Sequence, residues 1–265
     1  MKPFTPDQHQ AKKRFGQNFL HDYGVIERIV KCIQPKESDN IIEIGPGLGA
    51  LTREILPHSK KIAVIELDRD VIPKLKFNCD RAGELTIYEQ DALKTDFNQF
   101  SQAGIMRVVG NLPYNISTPI LFHLFQFLPT IQDMHFMLQK EVVERIVAQP
   151  GSKTYGRLSV MTQYYCHAQM LFLVPPESFD PPPKVDSAIV RLKPREEKLA
   201  VADFELFSGL VSDAFNQRRK TIRNVWKKRI SAQELVDVGL DAGARPENLA
   251  LEDFIKVANY VASTR

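Results

Sequence analysis

IIEIGPGLGALT, residues 41–52, is the stretch on which the fold turns. Ile41–Ile44 is a short run rich in β-branched residues, the composition of a strand. Gly45, Pro46, Gly47, Leu48 and Gly49 follow, and a helical pattern opens at Leu51. Glycines at such a turn permit positive φ and let the backbone approach a ligand closely. The spacing is G-P-G-x-G, which does not match the dinucleotide fingerprint G-x-G-x-x-G. Outward from it, Ile62–Leu67, Leu85–Tyr88 and Arg107–Val109 read as further strands. The runs at 41, 62 and 107 are nearly continuous in apolar character, as in strands covered on both faces. Segments long enough for helices, Leu51–Leu56 and Val71–Ala82, lie between them. Upstream, Val25, Ile26, Ile29, Val30 and Ile33 fall at helical spacing, with Asp22 as N-cap. Strand and helix in alternation predict an α/β fold, a doubly wound and mostly parallel sheet.

Composition narrows the class. The 265 residues are 43% hydrophobic and 25% charged, with a formal net charge of +3, the profile of a globular chain. Cys32, Cys79 and Cys166 are far apart in sequence, which speaks against a disulfide framework or a cysteine-built zinc site. The first residues, MKPFTPDQHQAKKRF, carry no apolar signal-peptide core, and no apolar run approaches the roughly 20 residues of a membrane span. The expected location is a reducing cytoplasm.

The second half is read in the same way. Ser117–Leu128 is a helix with Ser117 as N-cap and Pro119 in its first turn. Met134–Leu138 is a strand, Lys140–Ala148 a helix, and Met170–Val174 and Ala188–Leu192 are strands. Between the last two lies PPESFDPPPK, with five prolines in ten residues. Beyond Pro194 the pattern is helical. Val211, Phe215, Ile222 and Trp226 share one face; Lys220, Arg223 and Lys227 share another. The expected division is a sheet domain over 1–194 and a small all-helical domain over 195–265. RRKTIRNVWKKR, residues 218–229, holds seven basic residues and no acid. A smaller cluster stands at Lys12, Lys13 and Arg14. Both are candidate phosphate-contacting patches.

Chemistry collects at the strand ends. Glu66 ends the strand after the glycine turn, where a carboxylate can accept hydrogen bonds from both ribose hydroxyls of a nucleoside cofactor. Asp91 ends the third strand, where it can accept from an adenine amine. One such acid reads as a helix cap; a series of strand ends reads as a cofactor cradle. Val109-Gly110-Asn111-Leu112-Pro113-Tyr114 ends the fourth. The Asn111 amide oxygen and the Leu112 carbonyl can both accept from an exocyclic amine, orienting its nitrogen lone pair. Tyr114 offers a face for a planar base. No H-E-x-x-H, Cys–His or G-x-S-x-G constellation competes with this reading, and no metal is called for. Glu43, on the first strand, reads as hydrogen-bonded scaffold.

With these residues in place, the chain resembles the ribosomal RNA adenine N6,N6-dimethyltransferases of the KsgA type, a branch of the S-adenosylmethionine-dependent methyltransferases. The resemblance runs through KKRFGQNFL (12–20), IIEIGPGLGALT (41–52), VIELDRD (64–70), DAL (91–93), GNLPYNIS (110–117), LQKEVVERI (138–146), FDPPPKVDSAIV (179–190) and AFNQRRKTIRN (214–224). It implies a Rossmann-like methyltransferase sheet followed by a helical RNA-binding domain, with S-adenosylmethionine as cofactor. Asn18 and Leu20 would cover its methionine end, Gly45 would give a backbone contact, and Glu66, Asp91 and Asn111 would complete that site. Asn111, Leu112, Tyr114 and Phe179 would hold the target adenine, Phe179 stacking opposite Tyr114. Lys12, Lys13, Arg14, Arg218, Arg219, Lys220, Arg223, Lys227 and Lys228 would face RNA. The implied reaction is dimethylation of two adjacent adenosines near the 3′ end of small-subunit rRNA. The implied partner is the small ribosomal subunit, with no membrane, no metal and a monomeric enzyme. A base edge inside such RNA is reached only when unpaired or flipped.

Three other readings compete with this one. A DNA-adenine or protein-glutamine methyltransferase would keep the pocket, but Leu112, FDPPPKVDS and the basic tail speak against it. A non-enzymatic nucleic-acid-binding factor on the same fold would not need Glu66, Asp91 and NLPY intact. A nucleotide-dependent dehydrogenase fits the glycine turn poorly.

Overall fold

The runs at 41, 62, 85 and 107 become neighbouring strands, because their apolar residues can be buried only between layers of helix. The computed structural model describes residues 17–197 and 199–264. It opens with β1 (Phe19–Leu20) and α1 (Tyr23–Ile33), then β2 (Asn40–Ile44), α2 (Ala50–Ser59), β3 (Lys61–Glu66), α3 (Ile72–Asn78) and β4 (Glu84–Glu89). After 3-10 turns come β5 (Met106–Asn111), α4 (Ser117–Leu124), β6 (Ile131–Gln139), α5 (Lys140–Val147) and α6 (Arg157–Tyr165). Then follow β7 (Cys166–Val174), β8 (Phe179–Asp180), β9 (Ser187–Pro194), α7 (Phe204–Asn216), α8 (Ile222–Val225), α9 (Ala232–Asp237) and α10 (Leu251–Ser263). Among the described residues, no helix is long and apolar enough to cross a membrane.

The main sheet has the order β4-β3-β2-β5-β6-β9-β7. Its pairs from β4 through β6 are parallel, and β9 runs antiparallel to β6. From β2 the chain builds outward twice, through β3 and β4 on one side and β5 and β6 on the other. Strand order therefore reverses between β2 and β5, which opens a crevice at their carboxyl ends. The two strands close tightly there: a Cβ on Gly110 would sit 2.5 Å from the Ile44 carbonyl oxygen, so only glycine fits. α1 buries Ile26, Ile29, Val30 and Ile33, and Asp22 caps it by accepting from the Val25 N–H. With Leu51, Ile55 and Leu56 of α2, these side chains form one core with Ile41, Val64, Val109, Met137 and Ile189 of the sheet.

At the opposite, amino end of β5, Arg107 is buried and saturated. Its Nε and Nη2 donate to the two Asp133 oxygens (2.9 and 2.8 Å), and its Nη1 donates to Asp39 Oδ2 (2.8 Å). Nη2 also donates to the Ile33 carbonyl at the end of α1 (2.7 Å). One guanidinium thus ties α1, the turn before β2, and β6 to β5. Bidentate geometry of this kind suits Arg and not Lys.

The chain divides into two compact units, 1–143 with 169–194, and 144–168 with 195–265. One seam falls between 194 and 195. The other two are not legible in the sequence, because 144–168 joins the C-terminal helices, with α6 packed on α7. Within that second unit Trp226 is fully buried. Its Nε1 donates to the Leu210 carbonyl (3.0 Å), and its ring meets Phe254 edge-on.

Several expected boundaries move. Ser117 lies inside α4, its Oγ donating to the Pro113 carbonyl, and Ile116 takes the cap position. The expected helix to 128 becomes 3-10 from Phe125, ahead of Pro129. Val211–Trp226 is no single helical face: α7 ends at Asn216 and the chain turns before α8. α6 and the β1–β8 ribbon had no periodic signal at all.

The Arg107 cluster yields a stability prediction. Arg107→Ala should destabilise the protein by about 3–5 kcal/mol, since it strands two acids that lose their counter-ion. Urea unfolding near pH 7 measures it, and a loss under about 1 kcal/mol would contradict the anchoring role.

Candidate active site

Parallel neighbours put their carboxyl ends on one rim. Gly45 follows β2, Glu66 closes β3, Asp91 lies just past β4, and Asn111 closes β5. The glycine turn takes left-handed backbone at Gly45, Gly47 and Gly49. The Phe19 ring lies directly on this turn, where a Cβ on Gly47 would come within 3.1 Å of the ring. Leu48 and Val71 complete that small apolar cluster.

Glu66 is 8% exposed. Its Oε2 accepts from the Gly47 N–H (3.2 Å) and its Oε1 from the Asp68 N–H (2.8 Å). Burial pushes its carboxyl above the usual range, and the backbone donors pull the other way. The Leu67 N–H also acts on this carboxyl, and lone-pair capacity beyond these backbone donors can accept from a hydroxyl. Leu67 beside it is 49% exposed and offers an apolar face at the rim. Asp91 Oδ1 accepts from the Leu93 N–H (3.0 Å) and caps the short turn at 92–94. A capping carboxylate still has lone pairs to offer a base amine.

Asn111 is set by its neighbours. Its Nδ2 donates to the Asn18 carbonyl (3.0 Å), which leaves Oδ1 as the acceptor end of the amide. The Leu112 N–H donates to the Met137 carbonyl (3.2 Å), and its side chain is buried. Tyr114 is half-buried, its hydroxyl paired with Ser187 Oγ at 2.7 Å, so the ring is held from β9. This group can accept two hydrogen bonds from an amine while presenting an aromatic face.

The segment at 17–22 joins these parts. Gln17 Nε2 donates to Asp68 Oδ2 (2.9 Å). β1 pairs antiparallel with β8, Phe19 opposite Asp180 and Leu20 opposite Phe179. The His21 N–H donates to the Ser178 carbonyl (3.0 Å), and Ser178 Oγ donates to Asp22 Oδ2 (3.1 Å). The Asp180–Pro181 peptide is cis.

The structure therefore gathers Asn18, Gly45, Glu66, Asp91, Asn111, Leu112 and Tyr114 around one crevice. Leu20 and Phe179 stand differently. Both are buried in the core cluster under α1, and Phe179 is 2% exposed, so its ring has no open face in this conformation. Gln17, Phe19, Leu67 and Ser187 were missed by sequence reasoning. Phe19 and Gln17 lie within GQNFL, and the signal was there; Leu67 and Ser187 carried none.

The basic residues belong to two regions. Lys12, Lys13 and Arg14 lie outside the described residues. In the second unit, Arg219, Lys220, Arg223, Lys227 and Lys228 are exposed. Lys220, Lys227 and Lys228 line an open concavity of about 770 Å³ with Gln217, Asn224 and the Arg229–Asp213 ion pair. Arg218 is a tether: its Nη2 donates to the Lys153 and Tyr155 carbonyls (3.0 and 3.1 Å), and Glu247 stands 3.6 Å away.

The chain is similar to known proteins along most of its length. The family model for ribosomal RNA adenine dimethylase matches residues 8–263. The ribosomal RNA small subunit methyltransferase A of Marinomonas sp. (strain MWYL1) is 54% identical over 255 residues, which cover 96% of each chain. That of Vibrio parahaemolyticus is 54% identical over 256 residues, 96% of this chain and 95% of the relative. Among solved structures, a dimethyladenosine transferase from Plasmodium falciparum superposes with a TM-score of 0.78 at 31% identity. It spans 90% of this chain and 95% of its own. The 23S rRNA methyltransferase ErmE gives 0.75 at 25% identity, over 92% of this chain and 100% of its own.

Glu43 lies on β2, two residues before Gly45. It is 2% exposed, and Thr52 Oγ1 donates to its Oε2 (2.6 Å). Burial, helped by the nearby Glu66 charge, pushes its carboxyl up to about 7, against the Thr52 hydrogen bond. As pH rises from about 4.5 to 7, the unfolded chain releases this proton first, so the folded state loses stability across that window. Relative to Glu43→Gln, wild type should lose about 3 kcal/mol between those limits and hold a constant offset above. Urea unfolding of both proteins from pH 5 to pH 8 measures it; parallel curves would refute a neutral Glu43 in the folded state.

Proposed function

Since the chain belongs to the ribosomal RNA adenine dimethylase family, we propose that it adds two methyl groups to N6 of each of two adjacent adenosines near the 3′ end of 16S rRNA, acting in the cytoplasm on the small ribosomal subunit during its biogenesis. The donor in this reading is S-adenosylmethionine. The observation that carries the proposal is Asn111 at the switch-point crevice, its amide nitrogen held by Asn18 and its oxygen left to accept.

The residues present suit that donor. Glu66 offers both oxygens to ribose hydroxyls, Leu67 an apolar face to a purine, and Asp91 an acceptor to its amine. The glycine turn and the Asn18–Leu20 segment border the remaining space. When bound, S-adenosylmethionine supplies a methyl group on a sulfonium, an electrophile that needs no metal-activated partner.

This chain's own part is orientation. Asn111 Oδ1 and the Leu112 carbonyl accept the two N–H groups of the target amine, so its lone pair is aimed and not spent on water. Tyr114, held by Ser187, steadies the ring plane. No side chain has to act as a strong base, because an alkylated amine is acidic enough to lose its proton to water. The basic concavity around Lys220, Lys227 and Lys228 is suited to the phosphates of structured RNA, which is recognised largely by shape and backbone. Phe179 would have to turn out of its core position to stack on a base.

Two outcomes follow. Asn111→Ala should lower the methyl-transfer rate on unmodified small subunits by on the order of 100-fold or more, the scale of removing one fixed transition-state contact. Wild-type turnover by that variant would sink the orienting role. Arg223→Glu should weaken subunit binding by roughly fivefold, flatten its salt dependence by about one counter-ion, and leave cofactor affinity unchanged. An unchanged salt slope would remove Arg223 from the RNA contact.

A further inference from the structure

An amide is nearly symmetric in shape, and its two ends have opposite chemistry. With Oδ1 toward the crevice, Asn111 accepts from an amine; flipped, it would present Nδ2 and meet the amine donor to donor. What holds the orientation is the Asn18 carbonyl, 3.0 Å from Nδ2. That carbonyl lies in a short strap with an anchor on each side. On its carboxyl side, Leu20 pairs with Phe179 and the His21 N–H donates to Ser178. On its amino side, Gln17 Nε2 donates to Asp68 Oδ2 at 2.9 Å. Asp68 is 2% exposed, lies two residues past Glu66, and also accepts from the Asp70 N–H (3.2 Å). A buried carboxylate in this acid-rich place needs donors, and Gln17 is one of them.

We propose that Gln17 is a positioning residue for methyl transfer: through Asp68 it fixes the Asn18 carbonyl, and so decides which end of the Asn111 amide faces the acceptor. The crevice thereby selects an amine over a ring carbonyl, adenine over guanine, without Gln17 touching either substrate. The inference rests on the adenine-methylating reading of the crevice and adds the element that sets its polarity.

The test exchanges donor and acceptor across the pair. Gln17→Glu opposes two carboxylates, and kcat on unmodified small subunits should fall at least tenfold. KM for subunits and Kd for S-adenosylhomocysteine should stay within twofold. Gln17→Ala removes one hydrogen bond and should fall about tenfold. The double variant Gln17→Glu/Asp68→Asn restores the bond in reverse and should recover most of the loss. A Gln17→Glu enzyme with wild-type kcat, a double variant no better than the single, or a loss seated in S-adenosylhomocysteine affinity would each overturn the proposal. Turnover by the wild type reports separately on the adenine reading. Should wild type fail to methylate subunits, hydrogen exchange at the Asn111 side-chain amide still decides the positioning role. Exchange at least tenfold faster in Gln17→Glu supports it, and equal rates refute it.

Discussion

The close pairing of β2 with β5 is the constraint on which the rest depends. The strands approach until no side chain fits between Gly110 and the Ile44 carbonyl. Because strand order reverses at this pair, their carboxyl ends are the one place where two outgoing loops diverge from adjacent strands. The glycine turn leaves from β2 and the Asn111-Leu112-Pro113-Tyr114 turn from β5. The two turns are therefore juxtaposed by the backbone before any side chain is considered. Arg107 secures the far end of the same strand, so β5 is fixed at its amino end by charge and at its carboxyl end by close contact.

Electrostatics divide along the same line. Glu43, Glu66 and Asp68 are all buried around the glycine turn. Burial holds the carboxyls of Glu43 and Glu66 above their usual range. The basic residues are gathered elsewhere, in the second unit, where several are exposed and line a concavity. The buried acids and the exposed basic residues thus belong to different units.

Much of this was legible in the sequence. The strands at 41, 62, 85 and 107 announce themselves because buried parallel strands are continuously apolar, and α1 by its 3.6-residue period. The rim residues Glu66, Asp91 and Asn111 were legible because each directly follows such a run. What escaped was held by tertiary contact. β1 and β8 are two residues each, too short for any period. α6 carries a Tyr-Tyr pair and a mixed pattern, and its helix exists because it packs on α7. Arg218 reads as one more basic residue until the Lys153 and Tyr155 carbonyls are found beside it. Phe179 reads as a stacking platform because prolines follow it; its burial beneath α1 depends on pairing with Leu20, which no local pattern reports.

The most direct measurement is methyl transfer from radiolabelled S-adenosylmethionine to small ribosomal subunits lacking the modification, with nucleoside analysis of the product. The account predicts label in N6,N6-dimethyladenosine, with two adjacent residues modified per subunit. Label in DNA or protein, or no transfer from an enzyme shown to bind the cofactor, would contradict it.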